Sequence, residues 1–387
     1  MFGRRVTLFK LLGFEVRVDA SWLIIAVLIT WSLATQHYPS QYKGRPGEEY
    51  WWMGIASALG LFASIVVHEF SHSLVARHRG LPMKGITLFI FGGVAEMGEE
   101  PSSAKTEFLM AIAGPIASIL LGAGLYLVFL AGKGTLPQSM SGVVAYLSGM
   151  NLVLAAFNLV PAFPLDGGRV LRSALWYWKG DLRQATRTAA AFGGAFAVLL
   201  MVFAVWQWIT GNYIAAMWYF VIGIFLRGAA QASYQQLMIR TALEGEPVRR
   251  FMNVHPVSVP SHISLEEFVN DYVYHYHFKM FPVLNGSEKL AGCVTTSQVK
   301  AYPRDEWNRH SVQEVLRPCS ADNTVAPDAD SVKALSKMSA SGLSRLMVAE
   351  GDRLVGVIAL KDLLALLAAK VDLEGPNFTT TGPHTHE

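Results

Sequence analysis

Up to about residue 230 the apolar positions run in long blocks separated by short polar segments, whereas after about Glu244 they recur in short alternating groups. Six blocks are long enough to cross a bilayer as helices: about Ser21 to Ala34, Tyr50 to Leu74, Phe108 to Ala131, Ser141 to Val160, Thr188 to Trp208 and Tyr213 to Ala230. The first is short, and the last two share a tight Thr210-Gly211-Asn212 turn. Trp51, Trp52, Trp206, Trp208 and Tyr213 fall near block ends, where amphipathic rings settle at a membrane interface. Between the second and third blocks, Gly85 to Met97 is apolar, rich in β-formers and split by Gly92-Gly93, which predicts a hairpin or re-entrant segment. Such a segment either covers the helices or holds an extended substrate as an added strand on its open edge.

Composition agrees with the blocks. The chain has 387 residues, of which 52% are hydrophobic and 16% charged, too apolar for an ordinary soluble protein of that length. The fold class predicted is an α-helical polytopic membrane domain of about six transmembrane helices with a β-hairpin or re-entrant segment, followed by a cytoplasmic α/β part. The net charge of +3 is small and its basic residues flank the blocks, so nothing favours nucleic acid. One side collects Arg4, Arg5, Lys10 and Arg17, then Arg77, Arg79, Lys84 and Lys105, then Arg169, Arg172, Lys179, Arg183 and Arg187. The other has Lys43, Arg45 and Lys133. By the excess of Lys and Arg in cytoplasmic loops, both termini and the polar C-terminal part lie in the cytoplasm of a multi-pass protein of the cell (plasma or inner) membrane. The N-terminal stretch reads as no removable signal peptide. Cys293 and Cys319 read as reduced thiols.

The second block contains His68-Glu69-Phe70-Ser71-His72. Residues at i and i+4 share a helix face, so both imidazoles can converge on one Zn²⁺, with Glu69 beside a zinc-held water as general base. Two histidines and a glutamate among Ile65, Val66 and Val67 are costly in hydrocarbon, which makes them candidates for function. The fourth block ends in Asn158-Leu-Val-Pro161-Ala-Phe-Pro164-Leu-Asp166-Gly167-Gly168-Arg169, whose prolines and glycines predict that Asp166 sits on a turn at the membrane boundary. Its carboxylate supplies the third ligand and leaves a fourth position open. Asn158 can offer its amide to a developing oxyanion. The plainer alternatives are a helix-capping Asp and a satisfied core Asn.

These motifs together resemble the site-2 protease family of intramembrane zinc metalloproteases. The likeness rests on His68 to His72, on Phe91-Gly92-Gly93, on Gly114-Pro115 and on the Asn-x-x-Pro-x-x-Pro-x-Asp-Gly run from Asn158 to Gly167, in the expected order over most of residues 1 to about 230. The resemblance implies that His68, His72 and Asp166 are ligands, Glu69 the catalytic base and Asn158 an active-site amide. It also implies regulated cleavage of a transmembrane protein substrate in the lipid bilayer, with one Zn²⁺ per chain. The lack of a PDZ-like insertion points to the shorter prokaryotic branch.

The polar C-terminal part repeats itself with an offset near 64 residues, as in Val248/Val312, Leu290/Leu354 and Gly292/Gly356. Each copy reads as a strand, a helix, a strand pair and a closing helix, which resembles a tandem pair of CBS domains. The organisation predicted is therefore a protease domain at 1–235, CBS domains at 245–305 and 311–370, and a disordered tail at 371–387. Such pairs often bind adenine nucleotides through Gly-x-x-Thr/Ser-x-x-Asp. Here the signature is divided, with Thr295 but Gln298 in the first copy and Asp362 but Ala359 in the second. An adenine nucleotide partner and a structural or homodimerising module both stay open. His275, His277, His384, His386 and His78 carry no metal pattern. A CBS-regulated membrane transporter or channel is the competing function.

Overall fold

The computed structural model describes residues 5–81, 83–89, 92–97, 101–285 and 289–365. Phe91 of the Phe-Gly-Gly motif and the tail from residue 371 lie outside the described residues. The chain divides into two units, Met1–Gln235 and Gln236–Glu387.

In the first unit, β1 (Arg5–Leu11) and β2 (Phe14–Asp19) form an antiparallel hairpin, registered from Arg5 opposite Asp19 to Leu11 opposite Phe14. This hairpin was not expected, because Arg4, Arg5, Lys10 and Arg17 read as a basic flank, yet Lys10 and Arg17 meet Glu15 in it. These three are the outward positions of an alternating strand: Phe14, Val16 and Val18 turn inward while Glu15 bonds Arg17 at 2.8 Å and Lys10 at 2.9 Å. Asp19 accepts the Ser21 N–H at 2.9 Å and so caps α1 (Ala20–Ser32), which runs through a π-helical turn, Leu33–His37, into α2 (Tyr38–Gln41). α3 (Gly47–His78) opens with Glu48 and Glu49 and closes with Arg77 and His78, charges that complement the helix dipole at both ends.

The predicted segment from Gly85 to Met97 is an antiparallel pair, β3 (Met83–Phe89) and β4 (Gly92–Met97), and β3 also pairs in parallel with β2. The sheet order is β1-β2-β3-β4, which leaves β4 as an edge among the described residues. Val16, Val18, Ile86 and Leu88 bury against Val66, with Phe62, Ile65 and Phe70 beside them. The sheet therefore lies on the stretch of α3 that carries His68, Glu69 and His72.

Next come α4 (Ala104–Ala131), α5 (Gln138–Asn158), α6 (Asp166–Lys179), α7 (Leu182–Ile209) and α8 (Tyr213–Leu243). Six helical spans are long and apolar enough to cross a membrane: Ala20–Gln41, Gly47–His78, Ala104–Ala131, Gln138–Asn158, Leu182–Ile209 and Tyr213–Leu243. Their outer faces bear large apolar side chains, with Leu120, Leu127, Leu199 and Val202 at 63–67% exposure, a surface suited to lipid. α6 is not one of the six. Asp166 is its first residue, so the break ends one residue earlier than a turn position would require.

The second unit holds two similar layers. The first comprises β5 (Val259–Pro260), α9 (Leu265–Glu267), a π-helical turn at Phe268–Val273, α10 (Tyr274–Tyr276), β6 (Met280–Leu284), β7 (Leu290–Thr295), α11 (Thr296–Val299), α12 (Val312–Val315) and β8 (Arg317–Pro318). The second comprises β9 (Thr324–Val325), α13 (Ser331–Ser341), β10 (Arg345–Glu350) and β11 (Arg353–Ala359), followed by helix over 360–365. The sheets run β5-β6-β7-β8 and β11-β10-β9. Both strand pairs slip register at the same point, after Val283–Gly292 in one and after Val348–Gly356 in the other. Each layer has its own core, around Phe268 and Phe281 or around Leu346 and Ile358. His275 and His277 are exposed.

Candidate metal centre

His68 and His72 lie one turn apart on α3 and Asp166 opens α6, and one donor atom from each lies within 4.8 Å of the others. Asp166 Oδ2 is 3.1 Å from His68 Nε2 and 3.1 Å from His72 Nε2, and the two Nε2 atoms are 3.3 Å apart. A tetrahedral zinc with bonds of roughly 2.0–2.1 Å spaces its ligands about 3.3 Å apart, so this triangle has the size zinc demands.

The donor set itself calls for a cation. His72 Nδ1 lies 2.6 Å from the Met110 carbonyl, which can only accept, so Nδ1 carries the proton and the Nε2 of the neutral ring carries a lone pair. That lone pair faces a carboxylate oxygen and a second imidazole nitrogen. His68 Nδ1 lies 2.9 Å from Ser118 Oγ. Both rings thus have their outer nitrogen tied to α4, the arrangement that orients zinc-binding histidines.

α4 contributes no donor to the triangle, yet it borders both imidazoles through Met110, Gly114 and Ser118, which share one face with Glu107 at i, i+3, i+7 and i+11. A Cβ on Gly114 would stand 2.3 Å from His72 Nε2 and 2.7 Å from His68 Nε2, so only glycine leaves room for the ring nitrogens. The Gly114-Pro115 motif acquires its reason here. Glu107 is fully buried and accepts from Arg172 Nε of α6 at 2.7 Å. None of Met110, Ser118, Glu107 and Arg172 was singled out for the site from the sequence. Glu107 stands just before the third apolar block, among polar residues that read as its flank, and the Met110 carbonyl is a backbone atom that leaves no trace in sequence.

Glu69 follows His68, and its side chain lies against β4, where a Cβ on Gly93 would stand 2.4 Å from Glu69 Cγ. The second glycine of Phe-Gly-Gly is therefore the gap that admits the carboxylate. Asn158 ends α5 half-buried, with Nδ2 donating to the Leu154 carbonyl at 3.0 Å. That bond uses one of its two amide hydrogens and does not join it to the triangle.

In the second unit the divided signature residues act locally. Thr295 and Gln298 form a capping box on α11, with Gln298 Oε1 taking the Thr295 N–H at 2.8 Å and Gln298 Nε2 reaching the Val315 carbonyl at 2.6 Å. Asp362 accepts the Ala359 N–H at 3.1 Å. A cleft of about 270 Å³ is lined by Leu290 and Cys319 from one layer and by Thr324, Lys337, Ala349 and Asp352 from the other.

Known proteins carry the same assembly. Peptidase family M50 matches residues 56–141 and 132–202, and the CBS domain matches residues 312–369. The chain is 33% identical over 380 residues to the protein of Mycobacterium tuberculosis named zinc metalloprotease Rip3, covering 97% of this chain and 96% of that one. It is 30% identical over 365 residues to zinc metalloprotease sll0528 of Synechocystis, covering 92% and 94%. The solved site-2 protease of Methanocaldococcus jannaschii is 29% identical and covers 59% of this chain and 94% of its own, with a TM-score of 0.43. Nothing in these relatives favours the transporter reading. The chain belongs to peptidase family M50, the site-2 protease family: it is a zinc metalloprotease on a multi-pass membrane unit, with a CBS region at its C-terminal end.

Proposed function

We propose that this metalloprotease cuts a peptide bond in or near a transmembrane segment of another membrane protein, using one zinc ion per chain held by His68, His72 and Asp166. The observation that carries this reading is the triangle of two imidazole nitrogens and a carboxylate oxygen with edges of 3.1–3.3 Å inside an apolar bundle. Bound there, zinc supplies Lewis acidity and lowers the pKa of a water it holds towards ~7. Glu69 takes the proton from the attacking water and hands it to the leaving amine. The second N–H of Asn158 serves the developing oxyanion. The edge of β4, the last strand of the sheet among the described residues, takes the unwound substrate as an added strand beside Glu69, so that its backbone groups stay hydrogen-bonded within the apolar medium.

We further assign the protein to the plasma or inner membrane, with both termini and the C-terminal unit in the cytoplasm, on the placement of Lys and Arg. The C-terminal unit is a regulatory pair that works through an adenine nucleotide or through contact with a second copy. Lys337, whose Nζ donates to the Thr324 carbonyl at 3.0 Å, is the cationic group an anionic ligand would meet in the cleft, whereas the Asp352 carboxylate there and the capping roles of Thr295, Gln298 and Asp362 favour the second copy. A cleavage rate that responds to ATP in the full chain, and not in a chain ending near residue 245, supports the nucleotide. An unchanged rate in both removes it.

The test of the site is zinc content together with cleavage of a transmembrane substrate in detergent. Glu69→Gln keeps zinc and loses roughly 10²–10⁴-fold in rate, the range general acid–base groups supply. Asp166→Ala loses zinc and cleavage together. Full activity in Glu69→Gln refutes the assignment of the base.

A further inference from the structure

The third donor stands at the very start of its helix, just after a broken segment of chain. Asp166 is the first residue of α6, the preceding Leu165 gives no side-chain cap, and the run before it is broken by Pro161 and Pro164. A helix advances 1.5 Å and turns about 100° per residue, so a slip of one residue in α6 would carry Oδ2 out of the triangle. Gly167 and Gly168 seat the first turn on the backbone of the preceding loop, where a Cβ would come within 2.2–2.5 Å of it, and a further contact relates that turn to α4, the helix that orients the imidazoles.

Glu107 and Arg172 make that contact. Glu107 is 0% exposed on α4 and Arg172 is 6% exposed on α6. Arg172 Nε donates to Glu107 Oε1 at 2.7 Å, Arg172 Nη2 closes on the same oxygen, and Arg169 Nε stands 3.9 Å from it. Arg169 lies three residues beyond Asp166 and Arg172 three beyond Arg169, so each is a neighbour of the one before on the surface of α6. Arg172 also rests over the ring of Phe163, in the loop that leads into α6, at 5.1 Å. On the other side, Glu107 sits one turn from Met110, whose carbonyl orients His72. The pair therefore joins the helix that brings the third donor to the helix that aligns the first two.

Stability does not explain it. A buried ion pair loses its hydration on both sides, and replacing such a pair by apolar or neutral groups is often neutral or stabilising. Glu107 Oε2 is moreover buried with no hydrogen-bond partner among the described residues. What the pair supplies is direction, because two N–H groups of one planar guanidinium converging on a single buried oxygen fix orientation as well as distance.

We propose that Glu107 and Arg172 are positioning residues for the metal centre, setting the rotation and height of α6 so that Asp166 closes the triangle. The inference rests on the reading of Asp166 as a ligand. The experiment uses the purified full chain with Glu107→Gln, Arg172→Met, the double variant and Asp166→Ala. Zinc affinity is read by chelator competition, ligand geometry by the visible spectrum of the cobalt-substituted protein, and stability by thermal melting. Each single variant leaves a buried charge poorly paired and melts earlier; the double variant removes both members of the pair, leaves only Arg169 without its carboxylate, and melts closer to the parent than either single variant. All three bind zinc about 10–100-fold more weakly, as loss of groups that orient ligands does, and shift the cobalt bands. If zinc affinity and the cobalt spectrum return to parental values in the double variant along with stability, the pair is structural and the proposal is overturned. If Asp166→Ala itself binds zinc like the parent, the ligand reading fails and the proposal falls with it. Loss in Asp166→Ala with parental binding in the double variant overturns the positioning role alone.

Discussion

Asp166 in the membrane unit and Asp362 in the C-terminal unit are both carboxylates in the first turn of a helix, and they act in opposite directions. Asp362 reaches back to the Ala359 N–H and closes its own helix, as Thr295 and Gln298 do for α11. Asp166 leaves α6 without a side-chain cap and faces two imidazoles that lie 94 and 98 residues earlier in the chain. A side-chain cap contributes about 0.5–2 kcal/mol. A carboxylate at a helix start that forgoes one for a distant partner signals a task beyond folding. The same residue types therefore carry chemistry in one unit and geometry in the other, and the local hydrogen bond separates the two cases.

The strongest way to break this contrast is to disturb the membrane centre without touching a donor. Gly114→Ala puts a methyl group 2.3 Å from His72 Nε2, and zinc content should fall to near zero although alanine favours the helix. Gly124→Ala on the same helix meets nothing within 4 Å and should keep zinc while stabilising by up to about 1 kcal/mol. Gly93→Ala sharpens the point: its Cβ meets Glu69 rather than the histidines, so zinc should stay and cleavage drop, roughly 10²-fold or more. Zinc measured in parallel with turnover separates these cases. Equal zinc content in the Gly114 and Gly93 variants would dissolve the distinction between a donor side and a base side.

A smaller effect is expected from Ser118→Ala, which frees His68 Nδ1 and should weaken zinc about 10–100-fold without preventing folding. The smallest belongs to the C-terminal unit. Glu314 is held at about 2, against 4.5 unperturbed, by a hydrogen bond from His310 and by the N–H and hydroxyl of Ser311. Its folded value lies below its unfolded one, so its contribution is present above about 4.5 and is lost as pH falls towards 2. Glu314→Gln should lower melting slightly near neutrality and converge with the parent at acid pH, with zinc unchanged. A loss of zinc in that variant would tie the two units together energetically.

Much of the metal centre was legible because its side chains violate their surroundings. His68, Glu69 and His72 interrupt an apolar block, and the proline and glycine run before Asp166 interrupts a helix. Helix ends were less legible, since α3 continues to His78 and α8 to Leu243 through polar residues that only a membrane interface or a neighbouring layer makes comfortable. The β1–β2 hairpin was missed because its outward charges are paired across the strand, and unpaired on paper they resemble a cytoplasmic flank. Of the α4 stripe only Gly114 was named, through the motif it forms with Pro115 and not through its role. Met110 acts through its backbone, which leaves no chemical signature in a sequence.

The edge position of β4 has one further consequence, for what kind of message a substrate would carry. A chain added to an edge strand is held by its backbone, and its side chains point alternately to the two faces of the sheet. Every second residue would then face α3, and a shift of one position would exchange the whole set. Proline would be admitted only where its missing N–H points away from β4. Selectivity of this kind is written as a rhythm of alternate positions and not as a fixed word of residues, so unrelated segments with the same beat would be cut alike.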